Sequence, residues 1–312
     1  MYSRREFGQV ILGGSIATAA ARTNLFAAGN GRVGATTASF RDLPRVPGQD
    51  NIDDVIRALR TSGVRDIELS SFNVEPAGPN SGPAAPPKPS AYPPREIVLS
   101  AEEVAAARKA ARDDLRRWRV TADAEWYGRV REKFDAAGIV VHTYAVGYDD
   151  QFTDEEIQAT FRQAAAFGAR VISFPASLEV ARRLIPLGNA SAIGVALRNS
   201  TDFTQLSSAL ALSPNFRFAL DIGNLTAGNR DAVATVREYQ SRISHILVRD
   251  RLRNEGRSEK FGNGDTPIAE VLGLVKETRS SIPVFVDYDY AGLGTSVDEV
   301  LRCTQYVAQL LD

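Results

Sequence analysis

Several polar side chains sit where short apolar runs end: Glu68, His142, Tyr144, Arg198, Asn199, Asp221, Asn224, Arg249, Asp250, Asp287 and Asp289. Carboxylates at such places supply general acids and bases, and arginines and asparagines beside them hold oxygen-rich ligands. Side chains alternate along an extended strand, so Asp287 and Asp289 share a face, as do His245, Leu247 and Arg249.

These residues need a scaffold, and the sequence supplies an alternating one. Strand-like runs are read near Val33–Ser39, Asp66–Ser70, Ile139–Tyr144, Arg170–Phe174, Ile193–Arg198, Phe216–Asp221, Ile243–Arg249 and Val284–Asp289. Helical patterns follow at Asn51–Ser62, Ala101–Ala137 (broken), Asp154–Phe167, Leu178–Ile185, Asp202–Leu212, Asp231–Arg242, Pro267–Thr278 and Ser296–Leu311. Gly63, Gly138 and Gly168 fall between helix and strand, where a helix-ending glycine is expected. Thr153-Asp154-Glu155-Glu156 places a cap and acids at a helix start, and Asp265-Thr266-Pro267 a cap and a proline. Eight βα units predict a single-domain α/β fold, the (β/α)8 TIM barrel, over residues 31–312. An open doubly wound sheet is the alternative. It usually carries a glycine-rich loop after its first strand, and Ser39-Phe40-Arg41-Asp42 stands there instead.

The segment 76–94, rich in Pro, Gly and Ala, reads as a long loop after the second strand: a flap, an oligomer arm or a plain surface insertion. Between residues 101 and 120 the mixed charges describe a solvated helix face. The run from Arg249 to Thr266 is basic and leads into a helix start. It suits either an anion contact or a plain capped loop, and Asp265 at that start favours the loop.

Composition narrows the function. Lys and Arg total 37 and Asp and Glu 38, a net charge of -1 that argues against a nucleic-acid partner. The single cysteine, Cys303, lies in an amphipathic helical pattern and reads as a buried thiol. Two histidines exclude a His-rich metal site. At the start, Ser3-Arg4-Arg5-Glu6-Phe7 and the apolar stretch Val10 to Ala21 describe a twin-arginine signal with linker over residues 1–30, a chance basic start to an ordinary helix being the alternative. The run is too short to span a bilayer. The expectation is an exported or periplasmic protein with no stable membrane anchor after cleavage.

Asp221-Ile222-Gly223-Asn224, Leu247-Val248-Arg249-Asp250-Arg251, Gly262-Asn263-Gly264-Asp265-Thr266-Pro267-Ile268 and Val286-Asp287-Tyr288-Asp289-Tyr290 resemble, in order and spacing, the xylose-isomerase-like sugar phosphate isomerases and epimerases. Ser39-Phe40-Arg41-Asp42, Val74-Glu75-Pro76 and Phe152-Thr153-Asp154-Glu155-Glu156-Ile157 are similar to exported members of that group. The resemblance implies a divalent metal held by carboxylates and a His, and sugar interconversion by proton or hydride shift beside a carbonyl. Asp221 matches the family aspartate. Asp287 stands where a glutamate is usual, and Leu247 where the ligand His should be. Arg198-Asn199-Ser200 replaces a His-Asn-His run, and Asn224 a common His.

Leucine cannot coordinate a metal. His245, about 6.6 Å deeper on the same face, reads as a packed core residue, with a displaced ligand as the alternative. The expected cofactor is therefore none, or a weakly held Mn, Mg or Co at Asp221 and Asp287. Arg198 is expected to pair with one of these aspartates in place of the metal. Two functions remain open. One is a sugar isomerase or epimerase in which Asp221, Asp287 or Glu68 moves protons. His142, Tyr144, Arg198, Asn199, Asn224, Arg249 and Asp289 would then bind the carbohydrate. The other is a non-catalytic sugar-binding or accessory subunit, paired with itself or with a paralogue.

Overall fold

The computed structural model describes residues 33–78, 100–149, 151–278 and 280–311. The signal reading lies outside these residues, as does segment 76–94 apart from Pro76, Ala77 and Gly78. Eight parallel strands close into a barrel in sequence order. They are β1 (Val33–Thr36), β2 (Asp66–Ser70), β3 (Val140–Ala145), β4 (Val171–Pro175), β5 (Gly194–Arg198), β6 (Phe216–Asp221), β7 (Ile243–Val248) and β8 (Val284–Val286).

The helices are α1 (Ile52–Thr61), α2 (Ser71–Val74), α3 (Ala101–Thr121), α4 (Ala124–Ala136), α5 (Asp154–Phe167), α6 (Leu178–Ala190), α7 (Phe203–Ala211), α8 (Ile222–Ala227), α9 (Ala232–Tyr239), α10 (Ile268–Glu277) and α11 (Ser296–Leu311). None of those described is long and apolar enough to cross a membrane. The single barrel predicted from the alternating pattern is the fold observed. Strand ends agree to within a few residues. The broken helix divides where Asp123 accepts the Trp126 N–H and starts α4. Helix α6 runs past the expected end at Ile185, through Pro186 to Ala190.

Local chemistry explains the element boundaries. Gly168 ends α5 at φ 78°, a conformation that costs a residue with a Cβ, while its N–H still reaches the Ala165 carbonyl. Thr153 and Glu156 cap the same helix reciprocally. Cys303 is buried, as its helical pattern predicts.

Phe285 fills the lower interior. Its ring lies 6.1 Å from that of His142 and 5.5 Å from that of His245. Only glycine fits opposite: a Cβ on Gly34 would stand 2.1 Å from the Asp66 carbonyl oxygen and 2.6 Å from Phe285. At the upper end the Ser39-to-Asp42 stretch closes the seam between β1 and β8. Ser39 Oγ accepts the Tyr288 N–H at 2.9 Å, and Asp42 accepts the Ser296 N–H at 2.8 Å.

Helix α3 is held differently. Its one buried residue is Arg119, which forks onto Glu75 at 2.6 and 3.0 Å and also reaches Glu156 at 3.0 Å. Glu75 and Glu156 belong to two of the family-like motifs, and both are committed to holding this helix.

Candidate functional site

Two charged clusters occupy the barrel interior and its C-terminal mouth. The first centres on Glu68, which is fully buried on β2. Ser173 Oγ on β4 donates to it at 3.0 Å, Arg198 at the end of β5 forms an ion pair with it, and His245 Nε2 stands 2.9 Å away. Burial pushes the Glu68 carboxyl up, but Arg198, His245 and Ser173 overcome that and bring it to about 2.

The second cluster centres on Arg249, just beyond β7. Its Nη2 lies 2.5 Å from Asp287 Oδ2, its Nη1 3.1 Å from Asp289 Oδ2, and its Nε 3.6 Å from Asp221 Oδ2. Asp289 also receives Arg41 at 2.6 Å and the Ser258 hydroxyl at 3.3 Å. Asp221 is fully buried. Its Oδ1 accepts the Asn224 N–H at 2.9 Å and starts α8, while Oδ2 has no hydrogen-bond partner. Burial raises the Asp221 carboxyl, and Asp287 adds to this against the opposing pull of Arg249. The Arg249 guanidinium is disfavoured by burial, but Asp221 and Asp287 outweigh this and raise its pKa.

The asparagines fix this arrangement. Asn199 pairs with the Asp221 backbone in both directions, accepting its N–H at 2.8 Å and donating to its carbonyl at 2.9 Å. Asn224 donates to the Asn199 carbonyl at 3.1 Å and accepts from Arg251 at 2.6 Å.

Of the sequence-predicted residues, Asp221, Asp287, Asp289, Arg249, Asn199 and Asn224 come together, with Glu68 and Arg198 in the adjoining cluster. Two do not join them. His142 bonds Asp66 Oδ1 at 2.6 Å in the lower half of the barrel, at a slip in register where Val141 pairs with Ile67 and Thr143 with Glu68. Tyr144 points outward, its hydroxyl 3.2 Å from Gln163 and its ring against Phe167. The pairing expected of Arg198 is also corrected. Arg198 reaches Glu68, and Arg249 takes the aspartates instead. The reason is position: β7 lies between β6 and β8, so a residue at its end is one strand spacing from Asp221 and from Asp287.

Sequence reasoning missed Arg41, Ser173 and Ser258 as site residues and read His245 as a core residue ahead of a displaced ligand. His245 is indeed buried, but it touches Glu68. The basic loop after β7 resolves as a capped loop rather than an open anion cradle. Asp250 fills it, accepting the N–H groups of Gly262 at 2.8 Å, Gly264 at 3.0 Å and Thr266 at 3.2 Å. Asp265 instead accepts from Arg253.

A divalent cation shared by Asp221 and Asp287 would need the space the guanidinium takes. At 4 Å two unit charges interact by about 4 kcal/mol at an effective dielectric of about 20, so a divalent ion beside the guanidinium would meet about twice that repulsion. Among the described residues no group of three or more His, Cys, Asp and Glu is placed to hold a metal ion. As arranged, these residues do not fit one.

No protein-family model matches the sequence, and no curated protein matches it. Solved structures do match in shape. A sugar phosphate isomerase/epimerase from Parabacteroides distasonis is 13% identical, with a TM-score of 0.57 over 91% of this chain and 96% of that one. A 3-keto-D-glucoside 4-epimerase from E. coli is 11% identical, with a TM-score of 0.58 over 89% and 99%. An L-ribulose 3-epimerase is 12% identical, with a TM-score of 0.56 over 90% and 94%. The chain therefore shares with these sugar isomerases and epimerases a single (β/α)8 barrel fold.

Proposed function

We propose that this barrel binds a carbohydrate at its C-terminal mouth and is a binding relative of the sugar isomerases and epimerases rather than a metal-dependent catalyst. The carrying observation is what covers the acids. The side chains of Glu68 and Asp221 are 0% exposed and that of Asp287 6%, whereas Arg198 is 20% exposed, Arg249 17% and Asp289 35%. A ligand entering the mouth meets guanidinium edges and one aspartate before any buried carboxylate. Such planar donors suit sugar hydroxyls and sugar carboxylates.

Asp221 supports a second reading. Its carboxyl is raised and its Oδ2 has no hydrogen-bond partner, which suits a base that takes a proton from carbon beside a carbonyl and returns it. That step requires Arg249 to swing aside. Calorimetry across sugars, sugar acids and 3-keto sugars, joined to NMR in deuterated water, separates the readings. Binding without deuterium uptake at carbon is the expected result. Deuterium uptake transfers the case to proton transfer, and failure of every sugar to bind overturns both.

A further inference from the structure

We propose that Arg249 is a built-in cation that keeps divalent metal away from Asp221, Asp287 and Asp289, and that these aspartates become a divalent-cation site once its guanidinium is removed. Three carboxylates from the ends of β6 and β8 lie within 2.5 to 3.6 Å of this one side chain. The fit at Asp221 is incomplete. Asp221 Oδ2 is fully buried and has no hydrogen-bond partner, and Arg249 Nε, opposite it, has none either. Charge rather than hydrogen bonding holds that contact, so a small oxygen-seeking ion would satisfy the oxygen at least as well.

Removing the guanidinium would leave like charges close together. Of the three aspartates, Arg41 pairs only with Asp289, and Arg198 pairs with Glu68, so that its charge acts on Asp287 and Asp221 only from a distance. Buried carboxylates in that state either take up protons or gather a cation. A hard divalent ion with several oxygen ligands suits them. Metal binding at these aspartates is independent of which sugar the mouth takes.

The test is manganese binding followed by electron paramagnetic resonance and calorimetry. The wild-type chain is expected to bind no stoichiometric Mn2+ at this place. Arg249→Ala is expected to bind about one Mn2+ per chain. Adding Asp287→Asn to that variant should weaken binding at least tenfold, and Arg249→Lys, which keeps the charge, should gain none. Arg249→Gln, which keeps much of the bulk, serves if the alanine variant does not fold, with a Mn2+-dependent rise in melting temperature as the readout. Stoichiometric binding by the wild type that Asp287→Asn removes overturns the proposal. So does a failure of both neutral variants to bind more Mn2+ than the wild type.

Discussion

Arg249 and Asp250 are neighbours in sequence at the end of β7, yet they solve opposite problems. Arg249 turns into the mouth and supplies positive charge to three aspartates. Asp250 turns into the following loop and supplies negative charge to three backbone N–H groups. Each occupies a place that chemistry would otherwise offer to an ion: a cation among carboxylates, an anion in a nest of amides. The fit differs. Asp250 places its oxygens at hydrogen-bond distance from every donor, and Gly264 permits the approach, since a Cβ there would stand 2.2 Å from Asp250 Oδ1. Arg249 leaves one carboxylate oxygen without a hydrogen bond. The loop is therefore the settled half of the pair, and the mouth is the half that can be re-equipped.

Perturbations should rank accordingly. The largest effect is expected at Glu68, the buried anion beside the Arg249 cluster. Glu68→Gln leaves Arg198 without its carboxylate, at a cost of about 3–5 kcal/mol and a fall in melting temperature of roughly 10 °C by calorimetry. The pH dependence follows from the same group. The fold lowers this carboxyl from 4.5 to about 2, so its contribution is full above about 4.5 and is lost as pH falls toward 2. Acid unfolding of the wild type should steepen in that window, and Glu68→Gln should flatten it. An unchanged acid profile would remove Glu68 as the cause.

Asp250→Asn comes next, at about 2 kcal/mol in chemical denaturation, because one neutral oxygen replaces an ionised pair serving three donors. A loss near zero would mean the loop is not held as described. The smallest effect belongs to Arg41→Ala. Its ion pair with Asp289 is half exposed, and less than about 1 kcal/mol is expected. A larger loss would make Arg41 part of the inner cluster rather than its rim.

Much of the fold could be read from the chain because local signals agree with each other. Gly63, Gly138 and Gly168 all take positive φ where they were expected to end helices. Helix α8 was not foreseen, since Asp221 both ends β6 and caps the next helix, and no periodicity marks a six-residue turn. The polar residues of the mouth were legible as strand ends, but their partners were not. Arg198 and Glu68 are 130 residues apart, and only the closed ring of strands brings them face to face. His142 was misplaced because one slip in β3 register changes which layer a side chain enters, and sequence carries no mark of the slip. Glu75 and Glu156 stood out only as parts of stretches similar to a known group, and Arg119, their shared partner, was legible only as one charge on a solvated helix.

The ring of Phe285 against Gly34 leaves position 34 no room for a side chain. Gly34 and Phe285 pair across β1 and β8, so a methyl there would press on that ring and on the Asp66 carbonyl at once. A hydrogen atom in place of a methyl is therefore what lets the first strand lie between its two neighbours.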